Sequence, residues 1–225
     1  MAAFVVTGGF GVLGRAVGKA ALERGWRVAL VDVAPTIPKD LVDLPDLKCF
    51  AGTDLLNEAV TSKLFSGIDE QLNGIGALAN IAGGFTWVQT EQADTTTWRK
   101  FYEMNVLTAV SASRAAIPAL RRSRGSIVNV GANAALRAEA GMGPYTASKA
   151  GVHRLTEALA EELRASGVRV NAVLPSIIDT PTNRRDMPDA DTSVWVAPEE
   201  LAKVILFLAS ADASAVNGVL LPVTK

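Results

Sequence analysis

A doubly wound α/β fold, one parallel sheet of about seven strands with helices on both faces, is what this 225-residue sequence predicts. Three observations carry it. Short apolar runs of strand length alternate along the chain with longer segments of helical period. A glycine-rich turn, Thr7-Gly8-Gly9-Phe10-Gly11-Val12-Leu13-Gly14, joins the first run to the first helical segment. Asp32 ends the second run, 18 residues past Gly14.

Residues 3–6 form the first strand, and residues 14–23 a helix closed by Arg24-Gly25. Residues 27–31 give the second strand. Residues 47–51 form a third, weaker strand, followed by a helix over 56–72. Short buried strands at 75–79 and 126–130 flank a long helical region centred on 98–120. A helix at 144–165, a strand at 168–174, a helix at 198–209 and a strand at 219–223 complete the pattern. Right-handed crossovers place the ligand site of such a sheet at the carboxyl ends of its strands. Residues 177–195 fit no element well; Pro181, Pro188 and many polar residues suggest a long loop, serving as a substrate lid over 177–197. With no repeat, linker or low-complexity tract, residues 1–225 read as one Rossmann-type domain.

Composition narrows the function. Apolar residues make up 49% and charged residues 20%, as in ordinary globular proteins. A formal net charge of −1 gives no electrostatic reason to expect nucleic acid or an anionic membrane as partner. Cys49, the single cysteine, excludes an internal disulfide and a cysteine-rich metal site, and is expected to be buried in the third strand. His153, the single histidine, leaves no imidazole cluster for a metal and is expected to be an ordinary helix residue. No stretch approaches the roughly 20 apolar residues of a membrane span. No targeting segment is evident, which makes the cytoplasm the expected compartment.

The glycine turn carries the first chemistry. Glycines there let the backbone approach a pyrophosphate, which the helix amino terminus stabilises. A carboxylate at Asp32 accepts hydrogen bonds from ribose hydroxyls and repels a 2′-phosphate, favouring NAD(H) while leaving NADP(H) possible. Arg15, the nearby cation, reads as a solvent-facing helix residue. Tyr145 and Lys149, four residues apart, share one face of a helix. An ammonium beside a phenol favours the phenolate and lowers the tyrosine pKa toward a working value. The alternative is an incidental pair on a surface helix.

Together these residues resemble the short-chain dehydrogenase/reductase family over essentially the whole chain. Asp54-Leu55 is similar to the family's adenine-contacting pair, and Asn80-Ile81-Ala82-Gly83 to its Asn-Asn-Ala-Gly turn. Asn105 resembles its proton-relay asparagine, and Pro175 through Thr180, with Ile178, the segment that holds the nicotinamide carboxamide, Ser176 replacing a glycine. The resemblance implies that Tyr145 is the general acid during reduction. Lys149 would tune it and bind the nicotinamide ribose, and Asn105 would hold a water linking Lys149 to solvent. It also implies a homodimer or homotetramer.

Two departures bear on the substrate. The main branch places a catalytic serine thirteen residues before the tyrosine; here that position is Ala132, preceded by Gly131. Its second glycine falls where this chain has Val12, and Gly11 carries it instead. Both departures, the segment from Asp179 to Trp195, and the ending Gly218-Val219-Leu220-Leu221-Pro222-Val223-Thr224 resemble the dihydropteridine reductase branch. Asn80 and Asn105 resemble the main branch more closely. Losing one preorganised donor costs roughly 3–4 kcal/mol of transition-state stabilisation in carbonyl reduction. A quinonoid dihydropterin accepts hydride without a localised alkoxide and tolerates that loss. Trp87, Met187 and Trp195 are candidates to line a slot for a flat substrate; packing of the loop against the body is the alternative. The readings left open are a dihydropterin-type reductase, a carbonyl or 3-oxoacyl-thioester reductase, and a weakly catalytic NADH-binding regulator.

Overall fold

Every apolar run becomes a strand of one parallel sheet. In chain order these are β1 (Ala3–Thr7), β2 (Arg27–Val31), β3 (Leu47–Phe50), β4 (Ile75–Asn80), β5 (Ser126–Val130), β6 (Arg169–Pro175) and β7 (Leu220–Val223). Their spatial order is β3-β2-β1-β4-β5-β6-β7. The protein, seen here as a computed structural model, is described over residues 2–42 and 44–225. Among the described residues seven α-helices cover the sheet: α1 (Val12–Glu23), α2 (Glu58–Gln71), α3 (Thr95–Tyr102), α4 (Thr108–Ser123), α5 (Gly143–Leu163), α6 (Pro181–Asp186) and α7 (Pro198–Ala209).

Strand alternation splits the core into two layers. On one face Val5, Ala29, Leu78, Ile127 and Val170 pack against Phe65 and Ile68 of α2, Ala112 and Ala116 of α4, and Leu159 and Leu163 of α5. On the other, Phe4, Val28, Ala77, Val128 and Val173 pack against Val17 of α1 and Leu201 and Ile205 of α7. β3 is an edge strand, and this corrects one expectation. Cys49 is only half-buried because, among the described residues, nothing pairs with β3 on its outer side.

The chain winds outward from β1 in one direction and from β4 in the other, so the switch point lies between them. Register sets Thr7 beside Asn80 and Asn80 beside Asn129, levelling these polar residues at the carboxyl ends. Asn80 donates to Ser113 at 3.0 Å and to Asn129 at 2.8 Å; Asn129 donates to Thr156 at 2.8 Å. This buried polar chain ties β4 and β5 to α4 and α5, which fixes the floor of the site.

Two segments differ from the sequence reading. The helical region expected around 98–120 is three pieces, with a π-helical turn at Glu103–Leu107 between α3 and α4. Residues 177–197, expected to lack regular structure, contain α6. Pro181 suits the first turn of that helix, and the Thr180 hydroxyl caps it by accepting from Asn183 N–H at 3.1 Å.

Candidate active site

The glycine turn is shaped by close backbone approach. Gly8 has φ +65°, and a Cβ there would stand 2.9 Å from the Ala82 nitrogen; at Gly9 it would meet the Leu30 Cβ at 2.6 Å. A Cβ at Gly14 would run into the Gly8 carbonyl. Thr7 locks the neighbouring turn: its hydroxyl accepts from Ile81 N–H at 3.1 Å and Ala82 N–H at 3.2 Å. Helix α1 starts at Gly11 with no side-chain cap among the described residues and no acidic residue in its first turn, whereas Asn57 caps α2 and Asp94 caps α3. Its amino terminus therefore keeps free N–H groups facing the cradle, a fit for a pyrophosphate.

Asp32 is preorganised beside that cradle. One carboxylate oxygen accepts from Phe10 N–H and the other from Ala34 N–H, both at 2.9 Å. Thr53 N–H donates to the Asp32 carbonyl at 2.9 Å, bringing Asp54 alongside. Asp54 is exposed, while Leu55 is buried in the core. Arg15 pairs with exposed Asp40 at 3.3 Å.

At the carboxyl end of β5, α5 presents Tyr145 and Lys149 one turn apart. Lys149 is buried (6% exposed), and its ammonium donates to the Val130 carbonyl at 2.8 Å. Burial lowers its pKa to about 8. The expectation for Tyr145 is reversed. Burial raises its pKa to about 12, because the phenol sits among apolar groups that penalise the phenolate. Phe85 meets its ring edge-on at 4.9 Å and Phe101 at 6.4 Å.

Asn105 is delivered by the π-helical turn. Its amide accepts from Gly84 N–H at 3.0 Å and donates to the Gly84 carbonyl at 3.2 Å and the Ser148 hydroxyl at 3.0 Å. Gly83 packs against it so closely that a Cβ there would strike its side-chain oxygen. Asn105 thus clamps the loop after β4 against α5. π-turns of this kind recur at functional sites.

Gly131 and Ala132 follow directly. Ala132 is buried (3% exposed), and its N–H points at His153 Nε2, 3.4 Å away. His153, one turn beyond Lys149 on α5, is itself buried (2% exposed). Burial, then the charges of Arg154 and Lys149, depress its pKa.

The remaining candidates divide. Pro175 and Ser176 lead out of β6, where Ser176 N–H is fixed on the Val223 carbonyl at 3.1 Å and its buried hydroxyl has no partner among the described residues. Ile178 bridges Val196 in parallel, and Arg184 holds Asp179 through two hydrogen bonds of 2.6 and 2.7 Å, so residues 177–197 are a braced segment. Trp195 is closed off from solvent (2% exposed), in keeping with the packing alternative, and Met187 is half-buried. Trp87 lies against Gly141 and is 57% exposed. Sequence reasoning assigned no separate site role to Thr7, Phe85, Phe101, Ser148 or His153. The available signal for His153 was its spacing, on the same helical face as Tyr145 and Lys149.

Comparison with known proteins identifies the family. The short chain dehydrogenase family model matches residues 2–191. The chain is 32% identical to a short-chain dehydrogenase/reductase, cdmF, of Talaromyces verruculosus, covering 97% of this chain and 94% of that one. It is 31% identical to a meso-2,3-butanediol dehydrogenase of Serratia marcescens, covering 97% and 91%. The aldohexose dehydrogenase structure from Thermoplasma acidophilum superposes with a TM-score of 0.87 at 27% identity, covering 99% of this chain and 92% of that one. A glycine cradle, Tyr145 one helical turn from buried Lys149, and a family model spanning most of the sequence stand together, and the chain belongs to the short-chain dehydrogenase family of oxidoreductases.

Proposed function

We propose that the protein is an NAD(H)-dependent reductase acting on a small, flat, conjugated acceptor of the quinonoid dihydropterin type. The observation that carries the substrate class is Ala132. Where a carbonyl reductase needs a donor for a developing alkoxide, this chain offers a methyl group, and the Ala132 N–H is already directed at His153. An acceptor that spreads its charge over a conjugated ring needs a proton source more than an oxyanion donor.

The residues present suit a nicotinamide dinucleotide. The Gly8–Gly14 turn and the α1 amino terminus would receive the pyrophosphate and Asp32 the ribose hydroxyls, with exposed Asp54 beside the adenine, while Leu55, expected to contact it, is buried in the core. Asn80 shapes the floor through its hydrogen bonds, and Ala82 and Gly83 line the path. Pro175, Ser176, Ile178 and Thr180 stand where the carboxamide would be held, with the unpartnered Ser176 hydroxyl as one donor. When bound, the nicotinamide supplies the hydride. Tyr145, kept protonated by burial, delivers the proton to the acceptor. Lys149 binds the ribose and replaces the phenolic proton, and Asn105 keeps the Gly84 loop in position for that relay. Residues 177–197, with Met187, cover the substrate from the β6 side.

A second reading, oxidation of a small alcohol or reduction of a ketone, is favoured by the likeness to the Serratia butanediol dehydrogenase. NADH oxidation by the purified protein separates the two, with quinonoid dihydropterin, ketones and a 3-oxoacyl thioester compared and NADPH run alongside. Turnover of the dihydropterin alone is expected. Turnover of ketones alone overturns the substrate class, and tight NADH binding without turnover overturns the enzymatic reading.

A further inference from the structure

We propose that His153 is a positioning residue of the site, whose neutral imidazole accepts the Ala132 N–H and holds the end of β5 against the α5 face that carries Tyr145 and Lys149. The contacts form a two-point grip. Lys149 donates to the Val130 carbonyl at 2.8 Å, and one turn later His153 Nε2 faces the Ala132 N–H at 3.4 Å. Between them lies Gly131, where a Cβ would stand 2.6 Å from His153 Nε2 and 2.8 Å from its Cδ2. The glycine at 131 and the histidine at 153 are therefore one device. The ring enters because no side chain stands at 131, and it occupies the space under the backbone that presents Ala132.

The chemistry fixes the protonation state. Nε2 accepts, so the single imidazole proton resides on Nδ1. A second proton would remove the acceptor and set a cation beside Lys149. Lys149 and Arg154, both on α5, are the charged groups acting on the ring, and both oppose that proton. The backbone leaving β5 presents Gly131 and Ala132 to it, neither of them titratable. The device stays set at neutral pH and is released only in acid, below the ordinary histidine value.

The inference rests on this face being the catalytic one, and its test separates the two claims. Nitrogen NMR of the single histidine should show Nε2 unprotonated and Nδ1 protonated at pH 7. His153→Leu should lower kcat roughly fivefold with NADH affinity unchanged, since one modest hydrogen bond is lost. His153→Gln, whose side-chain oxygen reaches the Nε2 position, should recover most of that loss. Wild-type kcat should fall at acid pH, and both variants should lack that limb. A proton on Nε2, a Gln variant no better than Leu, or an acid limb kept in both variants overturns the inference. If the wild type turns over no acceptor, the proposed function fails while this inference is still decided. The tautomer decides it, together with a thermal-unfolding cycle in which Gly131→Ala destabilises the wild type but is tolerated beside His153→Ala.

Discussion

The Lys149 ammonium donates to the Val130 carbonyl, 2.8 Å away, so the cation one helical turn from Tyr145 is anchored to the end of β5. Both titratable groups of the pair are displaced by burial, in opposite directions: Tyr145 up to about 12, Lys149 down to about 8. Stability must therefore depend on alkaline pH in two stages. Between about 8 and the unfolded lysine value of 10.5, the unfolded chain holds a proton that folded Lys149 has lost, so stability rises with pH. From the unfolded tyrosine value of 10.0 to about 12, folded Tyr145 keeps a proton the unfolded chain has lost, and stability falls. The lysine contribution is about 3 kcal/mol at most. Urea unfolding at stepped pH should show the rise, and Lys149→Met should flatten it. An unchanged slope in that variant sinks the assignment.

Tyr145→Phe removes the proposed proton donor while leaving the ring that packs against Phe85 and Phe101. General acid catalysis is worth roughly 10²–10⁴-fold, and turnover should fall by that factor. Fluorescence titration should find NADH affinity within a few-fold of wild type. Full activity in the variant would mean that another group delivers the proton.

Strand positions were legible because each fully buried strand is a short apolar run bounded by turn residues; 27–31 and 126–130 coincide with β2 and β5. That Tyr145 and Lys149 share one helical face was legible from their spacing, whereas the catalytic role proposed for them came from the resemblance of the whole chain. The direction of the Tyr145 pKa was not, since it depends on which apolar rings close around the phenol, and Phe85 is 60 residues away in sequence. The π-helical turn at Asn105 was hidden because one extra residue per turn barely disturbs an apolar pattern. Helix α6 was hidden by its proline, which breaks a helix interior but opens a first turn. A lone histidine on a helix carries little signal, whereas the meaning of His153 depends on the missing side chain at Gly131.

Asp32 does two jobs, and substitution should separate them. Its carboxylate accepts the Phe10 and Ala34 N–H groups and is the group proposed to receive the ribose hydroxyls. Asp32→Ala should weaken NADH binding roughly tenfold, improve NADPH relative to NADH, and lower the melting temperature. Asp32→Asn retains one acceptor for those N–H groups and should recover part of the stability while keeping the shift toward NADPH. Steady-state kinetics with both cofactors, alongside thermal unfolding, checks this. An Ala variant that still rejects NADPH would show that the loop around Phe10 sets the preference.

Ala132→Ser tests the substrate class most directly. The alanine is buried in extended backbone with φ −156° and ψ 138°, a conformation open to serine, so the added hydroxyl brings no backbone strain. Ketone reduction, whose transition state develops charge on one oxygen, should rise by about 10²-fold, the value of one preorganised donor. Dihydropterin reduction should stay within about twofold or decline, because a conjugated acceptor gives that donor no localised charge to stabilise. Comparing kcat/KM for the two acceptors in wild type and variant isolates the donor from general damage, since misfolding lowers both. If dihydropterin turnover rises in step with ketone turnover, its reduction does build charge where the added hydroxyl donates, and Ala132 loses its explanatory role in substrate choice.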